Sequence, residues 1–180
     1  MSDPSFVSDL DLLRAAKGGN DAAFHTLVDR HAKALFRIAL SLCGNRTDAE
    51  DIVQETFLGA YRGMKNFAER SSVKTWLMQI LTRQSHKAWH KSKNQRDSLP
   101  INEQTADDRS ASRVEDRMDV MQMLQSLPQP HREVIVLRHL QGLSYDEMAR
   151  VLNLPQGTVE SRLTRARAEL RSRLNGFQAE

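Results

Sequence analysis

The chain has 180 residues and a formal net charge of +3, and its 39% hydrophobic and 27% charged residues are ordinary for a globular protein. No apolar run approaches the roughly 20 residues that a transmembrane helix needs, and the first residues lack the basic and apolar regions of a signal peptide. We therefore expect a cytoplasmic protein without membrane insertion, and the one cysteine, Cys43, excludes an intramolecular disulfide.

The first two predicted helices are marked by residues that begin and end helices. Ser8 can cap a short helix, which Gly18-Gly19 should end through a left-handed conformation. Asn20 then begins a longer helix that ends before Gly44. His31 lies on the apolar stripe of this second helix, which indicates a packed, hydrogen-bonded core histidine rather than a ligand.

Two further helices are predicted before residue 95. Thr47 and Glu50 have the spacing of a capping box, so a third helix should start there and run to about residue 65. Residues 66–72 form a polar loop, and Ser72 can cap a fourth helix over residues 73–93. The inner face of the fourth helix should hold Val73, Trp76, Leu77, Ile80, Leu81, Gln84 and Ala88.

The outward face of the third helix is more polar than its position requires. Acidic side chains near its start gain from the helix dipole, which is a sufficient structural reason for them. That effect does not explain Gln54 or an exposed Leu58, so we expect a partner-binding surface on this face. Its residues are Asp48, Asp51, Gln54, Glu55 and Leu58.

Trp89 falls opposite the inner face of the fourth helix, among basic residues. An exposed ring beside positive charge can bind single-stranded nucleic acid, since the ring stacks on a base and the charge holds phosphates. Packing of Trp89 on the following linker is the alternative. His86 and His90 are four residues apart and could share a metal, but without a third ligand a solvated polar face is the better interpretation, and we expect no metal or cofactor.

The second half of the chain begins with residues 96–112, which are polar and acidic, lack periodicity and predict a flexible linker. Helical spacing returns over residues 113–127, and Pro128 ends that helix. Pro130 then suits the first turn of a helix over residues 131–140. The inner face of this helix should hold Val134, Leu137 and Leu140.

Residues 142–174 predict a helix-turn-helix. Ser144 and Glu147 form a capping box for a first helix from Tyr145, and Pro155 interrupts it and opens a second helix. The second helix has one apolar stripe and a basic outer face, as a recognition helix in the DNA major groove requires. The alternative is a helical hairpin with a solvated arginine face. The stripe comprises Val159, Leu163, Ala166, Leu170 and Leu174.

The outward residues of the second helix are expected to contact duplex DNA. Near its N-terminus, Glu160 could accept from a cytosine amino group and Arg165 could bind a guanine. Arginines nearer the flanks, such as Arg162 and Arg167, are expected at phosphates, and a phosphate contact is also the alternative for Arg165. The full predicted set is Thr158, Glu160, Ser161, Arg162, Thr164, Arg165 and Arg167.

No segment alternates as a strand would, so the predicted fold class is all-α. We expect two small helical domains joined by a flexible linker, with residues 1–95 as the first domain, 96–112 as the linker and 113–180 as the second domain.

Two motif blocks resemble one known family over nearly the whole chain. DAEDIVQETFLGAY at residues 48–61, followed by KTWLMQIL at residues 74–81, resembles conserved region 2 of the extracytoplasmic-function sigma factors. SLPQPHREVIVLRHLQGLSYDEMARVLNLPQGTVESRLTRAR at residues 126–167 resembles their region 4. The resemblance implies a subunit without catalytic activity that binds core RNA polymerase and directs it to promoters.

The resemblance also implies partners and contact residues. The polar face of the third helix would dock on the clamp helices of the largest polymerase subunit, and the flap region would be a second contact. The helix-turn-helix would bind the duplex minus-thirty-five element, and an anti-sigma factor is a further implied partner. Residues implied at the minus-ten element, where an unstacked base of the melted non-template strand is captured, are Asn66, Phe67, Arg70, Ser71, Lys74, Trp76, Arg83, His86, Lys87 and Trp89.

The minus-ten region departs from the family pattern in its loop and in the helix after it. Many relatives have Gly-Asp where this chain has Glu69-Arg70, and an aromatic residue where it has Val73. The usual run of a small residue, arginine and asparagine is here Leu81-Thr82-Arg83.

Two other classes of protein compete with this interpretation. A transcription factor of the response-regulator type can end in a similar helix-turn-helix, but its partner domain would contain strands, which the first half of this chain lacks. A helical metal-dependent nuclease would need a clustered ligand set, and His86, His90 and scattered carboxylates do not supply one.

Overall fold

The computed structural model describes residues 7–96 and 115–177, and these ranges contain only helices, turns and loops. The all-α fold class is thereby confirmed for the described part of the chain. No helix within it is long and apolar enough to cross a membrane. The predicted linker lies outside the described residues except for Arg96. The helices are α1 (Asp9–Lys17), α2 (Asp21–Cys43), α3 (Arg46–Gly63), a 3-10 turn (Met64–Asn66), α4 (Val73–Arg96), α5 (Glu115–Ser126), α6 (Gln129–His139), α7 (Tyr145–Leu152) and α8 (Gln156–Phe177).

Local capping sets most helix ends as predicted. The side chains of Ser8 and Asn20 accept hydrogen bonds from backbone amides in the first turns of α1 and α2. Ser144 and Glu147 form the complete capping box of α7. Gly44 ends α2 with a φ of 83°, and a Cβ at this position would lie 2.7 Å from the side chain of Gln125. Gly44 is therefore required both for its left-handed backbone and for the close approach of α5.

The predicted cap of α3 is wrong. Thr47 lies inside the helix, and the N-cap is Asn45, whose side-chain oxygen accepts from the amide of Asp48 at 2.8 Å. Asparagine is among the strongest N-capping residues, so it displaces the threonine two positions later. Glu50 then pairs with Arg46 one turn earlier, at 2.8 Å.

Helices α1 to α4 form the first bundle, in which α3 lies against both α2 and α4. Its centre is filled by large side chains from three helices, all 3% exposed or less, namely Leu13, Leu35, Ile38, Leu77 and Leu81. Burying each such side chain contributes about 1.5 to 3 kcal/mol relative to exposure, so these side chains are a large source of stability in the first bundle.

Helices α5 to α8 form the second bundle, which includes the predicted helix-turn-helix. Asn153 adopts the left-handed conformation (φ 53°) and ends α7, and α8 starts after Pro155. The prediction that Leu140 lies on the inner face is wrong, because this side chain is 52% exposed. The chain turns at Gly142, and the amide of Leu143 donates to the carbonyl of Leu137, so Leu143 takes the buried position instead.

The two bundles pack directly against each other, which sequence periodicity did not predict. Helices α5 and α6 lie on α2, and α7 lies on α4. As a result α4 has a second buried face in addition to its predicted inner face, formed by Met78, Thr82 and Ser85. Hydrogen bonds that cross this interface include those from Gln125 Nε2 to the Ser41 carbonyl, from Lys74 Nζ to the Gln141 carbonyl and from Gln79 Nε2 to the Arg150 carbonyl.

Arg132 of α6 is the most extensively bonded side chain at this interface. It is buried, and its guanidinium donates to the carbonyl of Leu42 at the end of α2. The same group also donates to three carbonyls at the end of α5 and directly after it, those of Leu124, Gln125 and Leu127, at 2.8 to 3.1 Å. One side chain thus joins the first bundle to the second.

Replacement of Arg132 by lysine should destabilise the protein. A single ammonium group cannot reproduce the planar fork that reaches four carbonyls, and one or more buried acceptors would be left unpaired. We expect Arg132→Lys to lower the free energy of unfolding by about 1 to 3 kcal/mol, measured by urea denaturation. Arg37→Lys, at an exposed position on α2, is the control and should have little effect. Equal stability of the two variants would contradict this role for Arg132.

Candidate nucleic-acid interface

The polar face of α3 forms one wall of an open groove. Asp51, Gln54, Glu55 and Leu58 are exposed, as expected for a partner surface. Asp48 is half-buried, and its carboxylate accepts from the side chain of Asn45 at 2.7 Å, so it also supports the start of the helix.

The opposite wall of this groove is α4, which contributes basic side chains. The groove has a volume of about 550 Å³, with Ile52 and Ala88 among its lining residues. Lys87 and Lys91 face the α3 carboxylates across it. Lys87, implied at the minus-ten element, therefore lies beside the partner surface rather than beside the loop.

The loop over residues 66–72 is held by aromatic packing. Phe67 is buried, and its ring centre lies 4.8 Å from that of Trp76 on α4. Lys17 of α1 donates to the Phe67 carbonyl at 2.8 Å and lies 5.5 Å from the centre of the Phe67 ring. Phe67 therefore contributes to the shape of the loop and presents little surface for contact.

A second α1 side chain contacts the loop. Arg14 donates two hydrogen bonds to Glu69, from Nε to Oε1 at 3.1 Å and from Nη2 to Oε2 at 2.6 Å. Hydrogen bonding to Arg14 holds the pKa of Glu69 below its ordinary value. Glu69 has a φ of 57°, in the left-handed region that few residues other than glycine adopt.

A pocket of about 330 Å³ lies between this loop and α4. It brings together five of the residues implied at the minus-ten element, which are Asn66, Phe67, Arg70, Ser71 and Trp76. Ala68, Gln79 and Arg150 complete the lining, and the hydrogen bond from Gln79 to the Arg150 carbonyl places α7 at the rim. In this arrangement the second bundle covers part of the pocket.

The remaining implied minus-ten residues are spread along α4. Lys74 is exposed apart from its contact with the second bundle, and Arg83 is exposed. Trp89 is 41% exposed, and its ring packs edge-on against His90 at 5.0 Å. These residues do not line the pocket at the loop.

His86 lies at the edge of the interface between the bundles, where its side chain contacts α6 and is still 44% exposed. Its Nε2 is hydrogen-bonded to Glu133 of α6, a carboxylate that also accepts from Gln129 at 2.9 Å. This hydrogen bond raises the pKa of His86, against the opposing effects of burial and of the positive charge on Arg162 of α8. In the described part of the chain, no group of three or more His, Cys, Asp or Glu residues lies close enough to hold a metal ion.

Most of the α8 residues that were predicted to contact duplex DNA are exposed on its outer face. Two hydroxyl groups form hydrogen bonds within α8. Ser161 donates to the Thr158 carbonyl and Thr164 donates to the Glu160 carbonyl, both at 3.0 Å. The carboxylate of Glu160 accepts from Gln156 at 2.9 Å. Exposed members are Glu160, Ser161, Thr164, Arg165 and Arg167, whereas Thr158 and Arg162 are half-buried.

Comparisons with known proteins agree with this architecture. The Sigma-70 region 2 family model matches residues 27–95, and the Sigma-70, region 4 model matches residues 117–170. The chain is 35% identical to the ECF RNA polymerase sigma factor SigM of Mycobacterium tuberculosis, over 94% of this chain and 86% of that protein. It is 33% identical to the RNA polymerase sigma factor NccH of Alcaligenes xylosoxydans xylosoxydans, over 99% and 100% of the two chains.

Two solved structures share the fold. CnrH, in complex with the cytosolic domain of CnrY, has a TM-score of 0.74 and 33% identity over 93% of this chain and 97% of its own. The sigma factor RpoE of Bartonella quintana, in complex with the anti-sigma factor NepR, has a TM-score of 0.72 and 28% identity over 84% and 96%. The chain belongs to the extracytoplasmic-function sigma factors of RNA polymerase, which are transcription initiation factors, and the response-regulator alternative is not favoured.

Sequence reasoning missed the residues that act between distant segments. Arg14 and Lys17 precede the region 2 match, and no motif marks them. Gln79 and Arg150 meet across the interface between bundles, 71 residues apart in sequence. A pattern within one helix carries no signal for such contacts.

Contact between the bundles should weaken as the pH rises. Because the pKa of His86 is raised in the folded protein, its stabilising effect is fully present below the ordinary pKa of about 6.5. That effect is lost as the pH rises through the raised value. We expect small-angle scattering to show a larger radius of gyration at alkaline than at mildly acidic pH.

The His86→Gln variant is the control for this pH effect. It keeps a hydrogen-bonding side chain but does not titrate, so its radius of gyration should change less between the two conditions. An identical pH response in the variant and the parent would show that His86 is not the group responsible.

Proposed function

We propose that this sigma factor binds core RNA polymerase through the polar face of α3 and reads promoters with two separate surfaces. The α3 face docks on the clamp helices of the largest polymerase subunit. The pocket beside α4 takes an unstacked base of the minus-ten non-template strand, and α8 enters the major groove of the minus-thirty-five duplex. The protein acts in the cytoplasm and has no catalytic activity of its own.

The pocket beside the loop is the observation that carries this proposal. Capture of an unstacked base needs an aromatic surface, a positive charge for the phosphate and a polar group for the base edge. Trp76, Arg70 and Asn66 supply these three features within one cavity of about 330 Å³. This volume is at the lower end of the range of about 300 to 1,000 Å³ found for small-molecule sites.

The observed arrangement of the two bundles differs from the one that promoter binding needs. The minus-ten and minus-thirty-five elements are about 25 base pairs apart, which at about 3.4 Å each is about 85 Å. Here Lys74 Nζ of the first bundle lies 3.2 Å from the Gln141 carbonyl of the second. Arg150 also lines the pocket that would receive the base. We therefore propose that the bundles separate when the protein engages polymerase and promoter.

An apolar groove on the second bundle supports a second polymerase contact. It has a volume of about 420 Å³ and lies between α5, α6 and α8. Val120, at its edge, is 57% exposed, and Ile135 and Leu170 lie among its lining residues. We assign the flap region of the polymerase to this groove. The complex of the related RpoE with NepR supports an anti-sigma factor as a further partner.

Reconstituted transcription tests the proposed function directly. The protein should be mixed with core RNA polymerase and a promoter library, and the 5′ ends of the transcripts mapped. Initiation at defined positions that depends on the added protein supports the proposal. Binding of specific duplexes without any transcript started by core polymerase would contradict the proposed function.

Core binding should depend on the α3 face. Simultaneous replacement of Asp51, Gln54 and Glu55 by alanine should weaken core polymerase binding at least tenfold, since each polar group left unpaired in an interface costs about 1 to 3 kcal/mol. Affinity can be measured by fluorescence anisotropy. Thermal stability should hardly change, because these side chains are exposed. Asp29→Ala, exposed on α2, is the control, and unchanged core binding by the triple variant would exclude this docking face.

Arg165 should determine base preference within the minus-thirty-five element. Losing a bidentate contact to a guanine costs about 1 to 3 kcal/mol and relaxes preference at one position. We expect Arg165→Ala to relax the base preference at one position in transcription from a randomised minus-thirty-five library. Arg171→Ala, further along the exposed face, should weaken all sequences alike, as loss of a phosphate contact does. A uniform loss for Arg165→Ala would assign Arg165 to the phosphate backbone and move base readout to the residues before it.

A further inference from the structure

Helix α1 lies before the segment matched by region 2 and yet contacts the loop that forms the minus-ten pocket. Its two basic side chains, Arg14 and Lys17, are three residues apart and so project from the same face of the helix. Lys17 fixes the backbone at Phe67, and Arg14 binds Glu69 two residues later. The loop is therefore held at two points by an element that is not expected to contact DNA.

The contact between Arg14 and Glu69 is a bidentate ion pair, which is called the tether below. Both guanidinium-to-carboxylate bonds are formed, in the bidentate arrangement that fixes orientation as well as distance. The Arg14 side chain is 55% exposed and that of Glu69 33%, so the pair lies at the surface. A surface ion pair contributes little to global stability, which leaves local orientation as its principal effect.

Glu69 and the residues beside it in the chain lie on different sides of the loop. Glu69 itself turns towards α1 and does not line the pocket, whereas Ala68, Arg70 and Ser71 do. Glu69 has a φ of 57°, in the left-handed region that L side chains rarely adopt and that surrounding contacts have to hold. The bond from Arg14 is the contact that holds the Glu69 side chain itself on the side of α1.

We propose that Arg14 and Glu69 are positioning residues for promoter recognition, whose ion pair orients Arg70 and Ser71 in the pocket and thereby sets the base preference at the minus-ten element. This inference rests on the proposed function of the pocket. It assigns α1 a part in reading DNA that it never touches. The partner recognised more selectively through this tether is an unstacked base of single-stranded DNA.

The test is transcription from a library randomised at the minus-ten element. Arg14→Gln and Glu69→Gln remove the charges but keep side chains of similar length. Each should reduce discrimination at the captured base about two- to fivefold, the range expected from losing one surface ion pair. Preference at the minus-thirty-five element and affinity for core polymerase should stay at the parent values. Arg37→Gln, exposed on α2, is the matched control.

Exchanging the two charges distinguishes a positioning role of the ion pair from a general loss of transcription. The double variant Arg14→Glu with Glu69→Arg restores an ion pair of opposite direction and should recover at least part of the discrimination. Glu69→Gly keeps the left-handed backbone without the tether, so its preference should be as relaxed as that of Glu69→Gln. Hydrogen exchange of the amides of residues 67–71 should be faster in both single-charge variants than in the parent.

The outcomes distinguish this inference from the function on which it rests. Unaltered minus-ten discrimination in Arg14→Gln and Glu69→Gln, with normal initiation by the parent, would overturn the positioning role alone. A uniform fall in transcription across the library, without recovery in the exchanged pair, would also overturn it. A parent that starts no promoter-dependent transcripts would overturn the proposed function and this inference together.

Discussion

The arrangement of the two bundles depends on one buried guanidinium. Arg132 binds carbonyls at the ends of α2 and α5, and the last carbonyls of a helix have no partner within the helix. Both helix ends also carry a partial negative charge, which the cation on α6 offsets. Arg132 thus satisfies acceptors that would otherwise have to face water, and the two helix ends are drawn to the same point. Arg132 thereby fixes the end of α2 against the end of α5, and the other contacts between the bundles form around this point.

Closure places α7 of the second bundle beside the pocket that we propose for the minus-ten base. The rim of the minus-ten pocket is occupied by Arg150 of α7, and His86 of α4 is bonded to Glu133 of α6. A ligand shifts such an equilibrium only by binding one arrangement more tightly than the other. Polymerase and promoter would favour separated bundles, and a partner that contacts both bundles at once would favour the closed arrangement. The contacts between the bundles therefore belong to the free protein, and the proposed complex with polymerase and promoter would have to replace them.

Predictions from the sequence succeeded where the deciding contacts are local. The cap of α7 lies within four residues, from Ser144 to Glu147, so its pattern is complete in the sequence. Predictions failed where two local signals competed or where the chain turned after a helix. Asn45 rather than Thr47 caps α3. Leu143 rather than Leu140 enters the core, because the chain turns at Gly142 and helical spacing no longer applies beyond the end of α6.

The sequence by itself determined the all-α class, the order and approximate limits of the helices, the helix-turn-helix and the polar face of α3. These depend on helical periodicity and on caps formed within one turn. Only the tertiary structure decided that Arg132 joins the bundles, that His86 meets Glu133, and that Glu69 is tethered to Arg14. Each of these contacts joins helices or loops that are distant in sequence. Their partners are set by the packing of whole helices, and no spacing within a single segment encodes that packing.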